Sequence, residues 1–494
     1  MHVNKWIYGA GAALLLGYLV LSWAGIEAGI ASLDAHGVMR VVGERLRTGE
    51  FGLSRPPGHP LNEYWMAPAF AWVFSQGPGV SSEVYGSYQL TGGLCALAFF
   101  WLLLRELSIP PARRVLAAGC LVFSPQFLIE SSDGEEFLWG MVFVFAALFE
   151  VARLSGGRAS RSGIGWSLAV AAAVAASGCR IEFGAVALGM VFASLLVSDL
   201  RVEEKLGLGL LAVVLLGLLW LPVLRYHGVN APFANPLSLQ ARFGVGLYKI
   251  IFHALGAIPL LIAALFFLQA RGGLRIVPPF GKDMLDYWLP WLVLVFFALF
   301  FVYPTKIQVA LPGVAFLILW GAAQIGPRVW ACFVAACLSV QLVHLDCFES
   351  RKWTGLKFQP SLWEQSFRDK PAFKGGPIEA AASLALTGRH VIIANVWPWD
   401  FDWQLEHGSG LGASGLEEEK RGPVRFYRVG PGLLTSRAIL DGPSGLEGYV
   451  RDGYDVWIDR DLYREMFMRY DLSAPTPGTA LIGGVECRVV GMKP

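Results

Sequence analysis

Charge is what this chain has least of. Lys, Arg, Asp and Glu make up only 16% of its 494 residues, and they nearly cancel, leaving a formal net charge of +2. Nothing in that balance points to nucleic acid as a partner, since such surfaces carry a basic excess. Cysteine is also sparse. The seven cysteines form no C-x-x-C pair and no zinc spacing. Cys95, Cys120, Cys179, Cys332 and Cys337 lie in or beside apolar segments and read as small core residues. Cys347 and Cys487 fall in polar sequence, and their pairing is left open. No Walker loop, H-E-x-x-H or G-x-S-x-G occurs, and there is no internal repeat. Gly410-Leu411-Gly412-Ala413-Ser414-Gly415 matches G-x-G-x-x-G, but it follows a polar run rather than a strand and reads as a loop.

What the chain has instead is apolar length. Hydrophobic residues make up 55%, and the mean hydropathy is +0.50. Runs long enough to cross a bilayer recur. The first runs from about Trp6 to Ala28 and reads as a retained anchor, too long in its apolar part for a cleaved signal. Others are drawn at 84–104, 115–130, 136–153, 164–179, 181–198, 206–223, 247–270, 286–303, 307–325 and 329–346, about eleven with the first. The two between 164 and 198 are short and share a tight break at Gly178-Cys179-Arg180.

Basic residues cluster in every second loop: Arg105, Arg113 and Arg114; Arg153, Arg158 and Arg161; Arg201 and Lys205; Arg271, Arg275 and Lys282; Arg328. The positive-inside rule assigns these loops, and the N-terminus, to the cytoplasm. The outer loops are then 29–83, the stretch SSDGEEF at 131–137, Cys179-Arg180, 224–246 and Tyr303–Lys306. Residues 1–346 therefore read as a transmembrane, mainly α domain. Residues 347–494 read as a soluble, extracytoplasmic α/β domain, with DVWID and RHVIIANVW as strands and GPIEAAASLALTG and RDLYREMFMRY as helices.

The outer loops hold the chemistry. Asp34 stands before an amphipathic run in which Val38, Val41, Val42 and Leu46 share a face, the pattern of a helix lying along the membrane surface. Two readings of Asp34 stand: a helix cap, and a general base at the mouth of a membrane cavity. Arg55-Pro56-Pro57-Gly58-His59-Pro60 is more distinctive. Its prolines stiffen the backbone, so a guanidinium is presented in a fixed direction, suited to a phosphate. The bland alternative is a rigid surface turn. His59, without a second ligand at matching spacing, reads as a hydrogen-bonded residue rather than a metal ligand. Asp133, Glu135 and Glu136 share a turn on the same side. Acids there commonly complement a helix dipole, while Asp133 is also placed to orient an acceptor. Arg180 and Lys306 are isolated cations in apolar sequence, which marks an anion site unless each snorkels to the interface.

The order of these features resembles the GT-C superfamily of integral membrane glycosyltransferases, the aminoarabinose transferases of lipid A and the protein O-mannosyltransferases in particular. The resemblance rests on Asp34 in the first loop, Arg55-Pro56-Pro57 with Tyr64-Trp65, and Asp133 in the second outer loop. A looser match is Tyr303-Pro304-Thr305-Lys306 running into Leu311-Pro312. It implies a glycosyltransferase of EC class 2.4 with a polyprenyl-phosphate-linked sugar as donor. The transfer would be inverting, on the outer face of a bacterial inner membrane, to a lipid, glycan or protein hydroxyl. Asp34 and Asp133 would be catalytic, with Asp34 the base. Arg55, Arg180 and Lys306 would hold the lipid phosphate, and His59, Tyr64 and Glu135 would line the substrate. Relatives often carry an acid before the basic-Pro-Pro, where this chain has Ser54, so no metal site is assigned, although the resemblance leaves room for a divalent ion. The rival readings are a transporter or flippase of a lipid-linked sugar, which would favour paired halves and broken central helices, and a noncatalytic scaffold.

Overall fold

The computed structural model describes residues 2–27, 33–49, 59–74, 80–155, 163–227, 239–254, 256, 284–302, 304, 306–324, 327–340, 343–349, 352–365, 390–394, 425–428, 450–451, 453, 455–459, 479–482 and 485–490. The chain separates into two compact units, Met1–Phe367 and Arg368–Pro494.

The first unit is a helical bundle. Helix α1 (His2–Glu27) is followed by α2 (Leu33–Thr48), a π-helical turn (Pro60–Met66), α3 (Ala67–Phe74) and α4 (Ser82–Glu106). Next come α5 (Pro111–Val122), α6 (Pro125–Asp133), α7 (Phe137–Ser155), α8 (Gly163–Cys179), α9 (Ile181–Leu196), α10 (Val202–His227) and α11 (Leu239–Lys249). Three later helices span Met284–Val302, Leu311–Gln324 and Pro327–Ser339. Among the described residues, five helices are long and apolar enough to cross a membrane, or six if one bent pair is counted as a span. The chain is thus a multi-pass membrane protein.

Three elements depart from the spans drawn on the sequence. The run 115–130 is not one straight helix but α5 and α6, bent by 63°. Pro125 opens α6 and has no N–H to continue the ladder, and it forces Ser124 into an extended conformation (φ −67°, ψ 137°). The run 329–346 is helical only to Ser339, and Val343–Glu349 is a strand. Asp34 lies inside the first turn of α2 rather than before it. The face of α2 carrying Ala35, Val38, Met39, Val41 and Val42 is buried, packed on α3 and the π-helical turn.

Burial sorts the helices. The span of α7 is 72% buried and packs against α4, α8 and α9, whereas only 17% of α10's span is covered by protein. In a bilayer the exposed leucines of α10 (Leu206, Leu210, Leu218) meet lipid. The core between these helices is aromatic: Phe137, Phe145, Phe183, Phe296 and Phe316 are fully buried.

Strands β1 (Val343–Glu349) and β2 (Lys352–Pro360) form an antiparallel hairpin in the first unit, with a register shift between Asp346 and Phe348. In the second unit, β3 (His390–Ala394), β4 (Arg425–Arg428), β5 (Asp455–Asp459), β6 (Thr479–Ile482) and β7 (Val485–Val490) form one sheet of order β4-β3-β5-β7-β6. Its pairings are parallel except β6 with β7. The stretches expected as helices there, 376–388 and 460–470, lie outside the described residues.

Helices α8 and α9 turn back on each other across Arg180 alone, and the close approach depends on Gly184. A Cβ there would lie 2.1 Å from the Ser177 Cβ and 2.3 Å from its Cα. Gly184→Ala should therefore force the two helices apart at about 1–3 kcal/mol. Gly189→Ala, with nothing within 4 Å of the added carbon, should leave stability unchanged. Thermal unfolding of the two detergent-purified variants tests this, and equal midpoints would contradict the packing.

Candidate functional site

Several element ends meet at one rim of the bundle: the start of α7, the α8–α9 break, the residue before the π-helical turn, and the 3-10 turn Ile307–Ala310. Glu136 supplies the backbone carbonyl that receives the first helical hydrogen bond of α7, from Gly140 (3.0 Å). Arg180 does the same for α9 through Gly184 (3.0 Å). Glu135 and Glu136 thus sit at the positive end of the α7 dipole.

Glu136 is fully buried and joins Arg180 and His59. Its Oε1 lies 2.6 Å from Arg180 Nη1 and 2.9 Å from His59 Nε2. Arg180 also reaches Glu182, whose Oε1 accepts from Nη2 (2.7 Å) and Nε (2.8 Å), and its guanidinium sits 4.2 Å from the centre of the Phe137 ring. Next along the turn, Glu135 holds Lys306 by both oxygens at 2.8 and 2.9 Å. Glu130 closes the loop behind them by accepting from the Glu135 backbone N–H at 3.1 Å.

The residues proposed from sequence thus divide. Glu135, Lys306, Arg180 and His59 converge on one turn, joined by Glu136, which the sequence reading placed in the turn but gave no role. Tyr64 has its ring 3.3 Å beneath the Arg45 guanidinium and edge-on to Trp65. Asp34 and Asp133 are placed by their backbones in α2 and at the end of α6, but their side chains lie outside the described residues, as does Arg55 entirely.

A second polar group was missed from the sequence. His253, His344 and Asp346 bring their ligating atoms within 4.8 Å of one another. Burial, with His253 alongside, pushes His344 below the usual imidazole range. His344 and Asp346 alternate in a strand and so share a face, a signal available in the sequence. Their partner His253 is 93 residues from Asp346, and no spacing rule reaches that far. Cys347 is buried and carries a free thiol.

Removing the charge of Glu136 leaves Arg180 buried with half its compensation. Breaking a buried pair costs about 3–5 kcal/mol. Glu136→Gln should therefore lower the unfolding midpoint clearly more than Glu182→Gln, whose partner keeps the fully buried acid. The opposite ranking would show that Glu182 is the principal partner of Arg180.

No protein-family model and no curated protein matches the sequence. Solved structures do match in fold. The crystal structure of ArnT from Cupriavidus metallidurans bound to undecaprenyl phosphate is 12% identical, with 94% of this chain and 96% of that chain covered at a TM-score of 0.52. The same protein in the apo state is 13% identical, with 96% and 97% covered at 0.51. Arabinofuranosyltransferase AftD from Mycobacteria is 15% identical over 86% of this chain and 32% of that one, at 0.45. At these identities the likeness to ArnT is one of fold.

Proposed function

We propose that this protein is a glycosyltransferase that moves a sugar from a polyprenyl-phosphate donor to an acceptor hydroxyl at the outer face of the membrane. The observation that carries the reading is the convergence of Lys306, Arg180, His59, Glu135 and Glu136 on one rim of the bundle. That this bundle shares its fold with ArnT, whose structure holds undecaprenyl phosphate, supports it.

The chemistry fits the residues. The acceptor oxygen attacks the anomeric carbon, the bond from that carbon to the phosphate oxygen breaks, and a polyprenyl phosphate departs with the electron pair. Asp34 takes the hydroxyl proton as base, and Asp133 orients the acceptor. Arg55, Arg180 and Lys306 stabilise the charge growing on the leaving phosphate. Because Arg180 and Lys306 are held by Glu136 and Glu135, an incoming phosphate shares or exchanges those partners. His59, Tyr64 and Glu135 line the approach. The N-terminus is cytoplasmic and the C-terminal region extracytoplasmic. We read the second unit as an α/β domain, since its parallel strands require crossover connections, and assign it to acceptor recognition.

The test is transfer by purified full-length protein from a radiolabelled polyprenyl-phosphate sugar. Asp34→Asn should lose about 10²–10⁴-fold in turnover and Arg55→Ala about 10²–10³-fold, both remaining folded. Folded variants with full turnover would defeat the assignment. Movement of the lipid-linked sugar across vesicles without bond cleavage would favour the flippase reading.

A further inference from the structure

Tyr248 at the end of α11, His253 in the π-helical turn Ile250–Ala254, and His344 and Asp346 in β1 form a polar knot within the first unit. Its polar groups all crowd one carboxylate. Asp346 Oδ2 is 2.9 Å from the Tyr248 hydroxyl and 3.2 Å from the Nε2 atoms of both His253 and His344. A carboxylate oxygen has about two lone-pair sites; both imidazoles face this one, and the single Tyr248 proton is shared between it and the other oxygen. The other oxygen, Oδ1, already accepts from the Cys347 backbone N–H at 2.6 Å and from Tyr248 at 2.8 Å.

The same separations are natural around a cation. Ligands bonded to zinc at about 2.0–2.1 Å in a tetrahedron stand about 3.3 Å apart. Both imidazole–carboxylate separations are 3.2 Å, and the Tyr248 oxygen is 3.0 Å from His253 Nε2. The two imidazole rings stand edge to face, 5.6 Å apart at 84°, and each has its Nε2 3.2 Å from the same Asp346 oxygen. The register shift after Asp346 interrupts the hairpin there, as β-bulges do where a side chain must be re-aimed.

We propose that His253, His344 and Asp346 bind a zinc ion, with the Tyr248 hydroxyl beside the fourth position. Two imidazoles and one carboxylate suit zinc, whereas calcium and magnesium take oxygen sets. The ion would clamp the first strand after the last helix to the turn that follows α11, two segments far apart in the chain. Because the ligand set forms only on folding, binding adds to the stability of the native state. The proposal is independent of glycosyl transfer, and its readout is metal content.

The test uses the full-length protein in detergent, stripped with a chelator, desalted and titrated with zinc alone. One tightly bound zinc per chain is expected, together with a rise in unfolding temperature. His344→Ala and Asp346→Asn should weaken binding at least tenfold and abolish the rise, while His59→Gln keeps both. Cobalt in place of zinc should give the intense visible bands of a tetrahedral ion in the wild type, which decides the matter even if a variant fails to fold. Absence of stoichiometric zinc, an octahedral cobalt spectrum, or unaltered affinity in folded His344→Ala and Asp346→Asn would each overturn the assignment.

Discussion

The pairing of consecutive glutamates with cations drawn from distant parts of the chain is the constraint on which the rim of this bundle depends. Glu136 meets Arg180 44 residues away, and Glu135 meets Lys306 171 residues away. Each pair fixes the end of one helix against the end of another, where apolar packing alone would allow sliding. Such pairs are poor sources of net stability, because desolvating both charges offsets most of their attraction. What they supply is register. Once Glu136 is buried, Arg180 cannot leave, and the one-residue break between α8 and α9 is held where it stands.

Much of the bundle was legible in the sequence because membrane spans are written in length and polarity. Helices α4, α7 and α10 fall where long uncharged runs predicted them, and the break at Gly178-Cys179-Arg180 lies where a cation interrupts an apolar stretch. The misreadings have one cause, that hydropathy does not record backbone direction. The run 115–130 is apolar throughout, yet Pro125 divides it. Val343–Glu349 continues the apolar character of the helix before it, yet it pairs with β2 as a strand. The signals were there in the proline and in the alternation of His344 and Asp346 with Val343, Leu345 and Cys347.

The site was less legible than the fold. Sequence indicated that acids and cations share a side of the membrane, but not which acid faces which cation. Three acids stand in the turn at 133–136, and nothing in their spacing marks Glu136 as wholly buried. The His253–His344–Asp346 group was further out of reach, because its members belong to segments that meet only when the hairpin folds. A layout of apolar spans tolerates almost any residue that keeps the pattern, so a fold can be shared at 12% identity. Rim chemistry tolerates far less, and has to be argued from the side chains themselves.

The ion pairs also bear on how an anion would enter. Lys306 is 30% exposed, while Glu135, its partner, is 7% exposed; the cation is the accessible member of the pair. On the proposed reaction, an arriving phosphate would meet the ammonium from the open side without first displacing the carboxylate. The donor phosphodiester carries one negative charge and gains a second only as the bond to the sugar breaks; attraction is strong in a partly dehydrated rim, so on the proposed reaction Lys306 would swing toward it at that moment while Glu135 stays at the start of α7. Arg180 is different. Its guanidinium is gripped by Glu136 and Glu182 and capped by Phe137, which leaves it to act on a phosphate through its field more than by moving. On the proposed reaction, the two cations therefore divide the work: one follows the leaving group, and the other holds the electrostatic potential in place while the bond breaks.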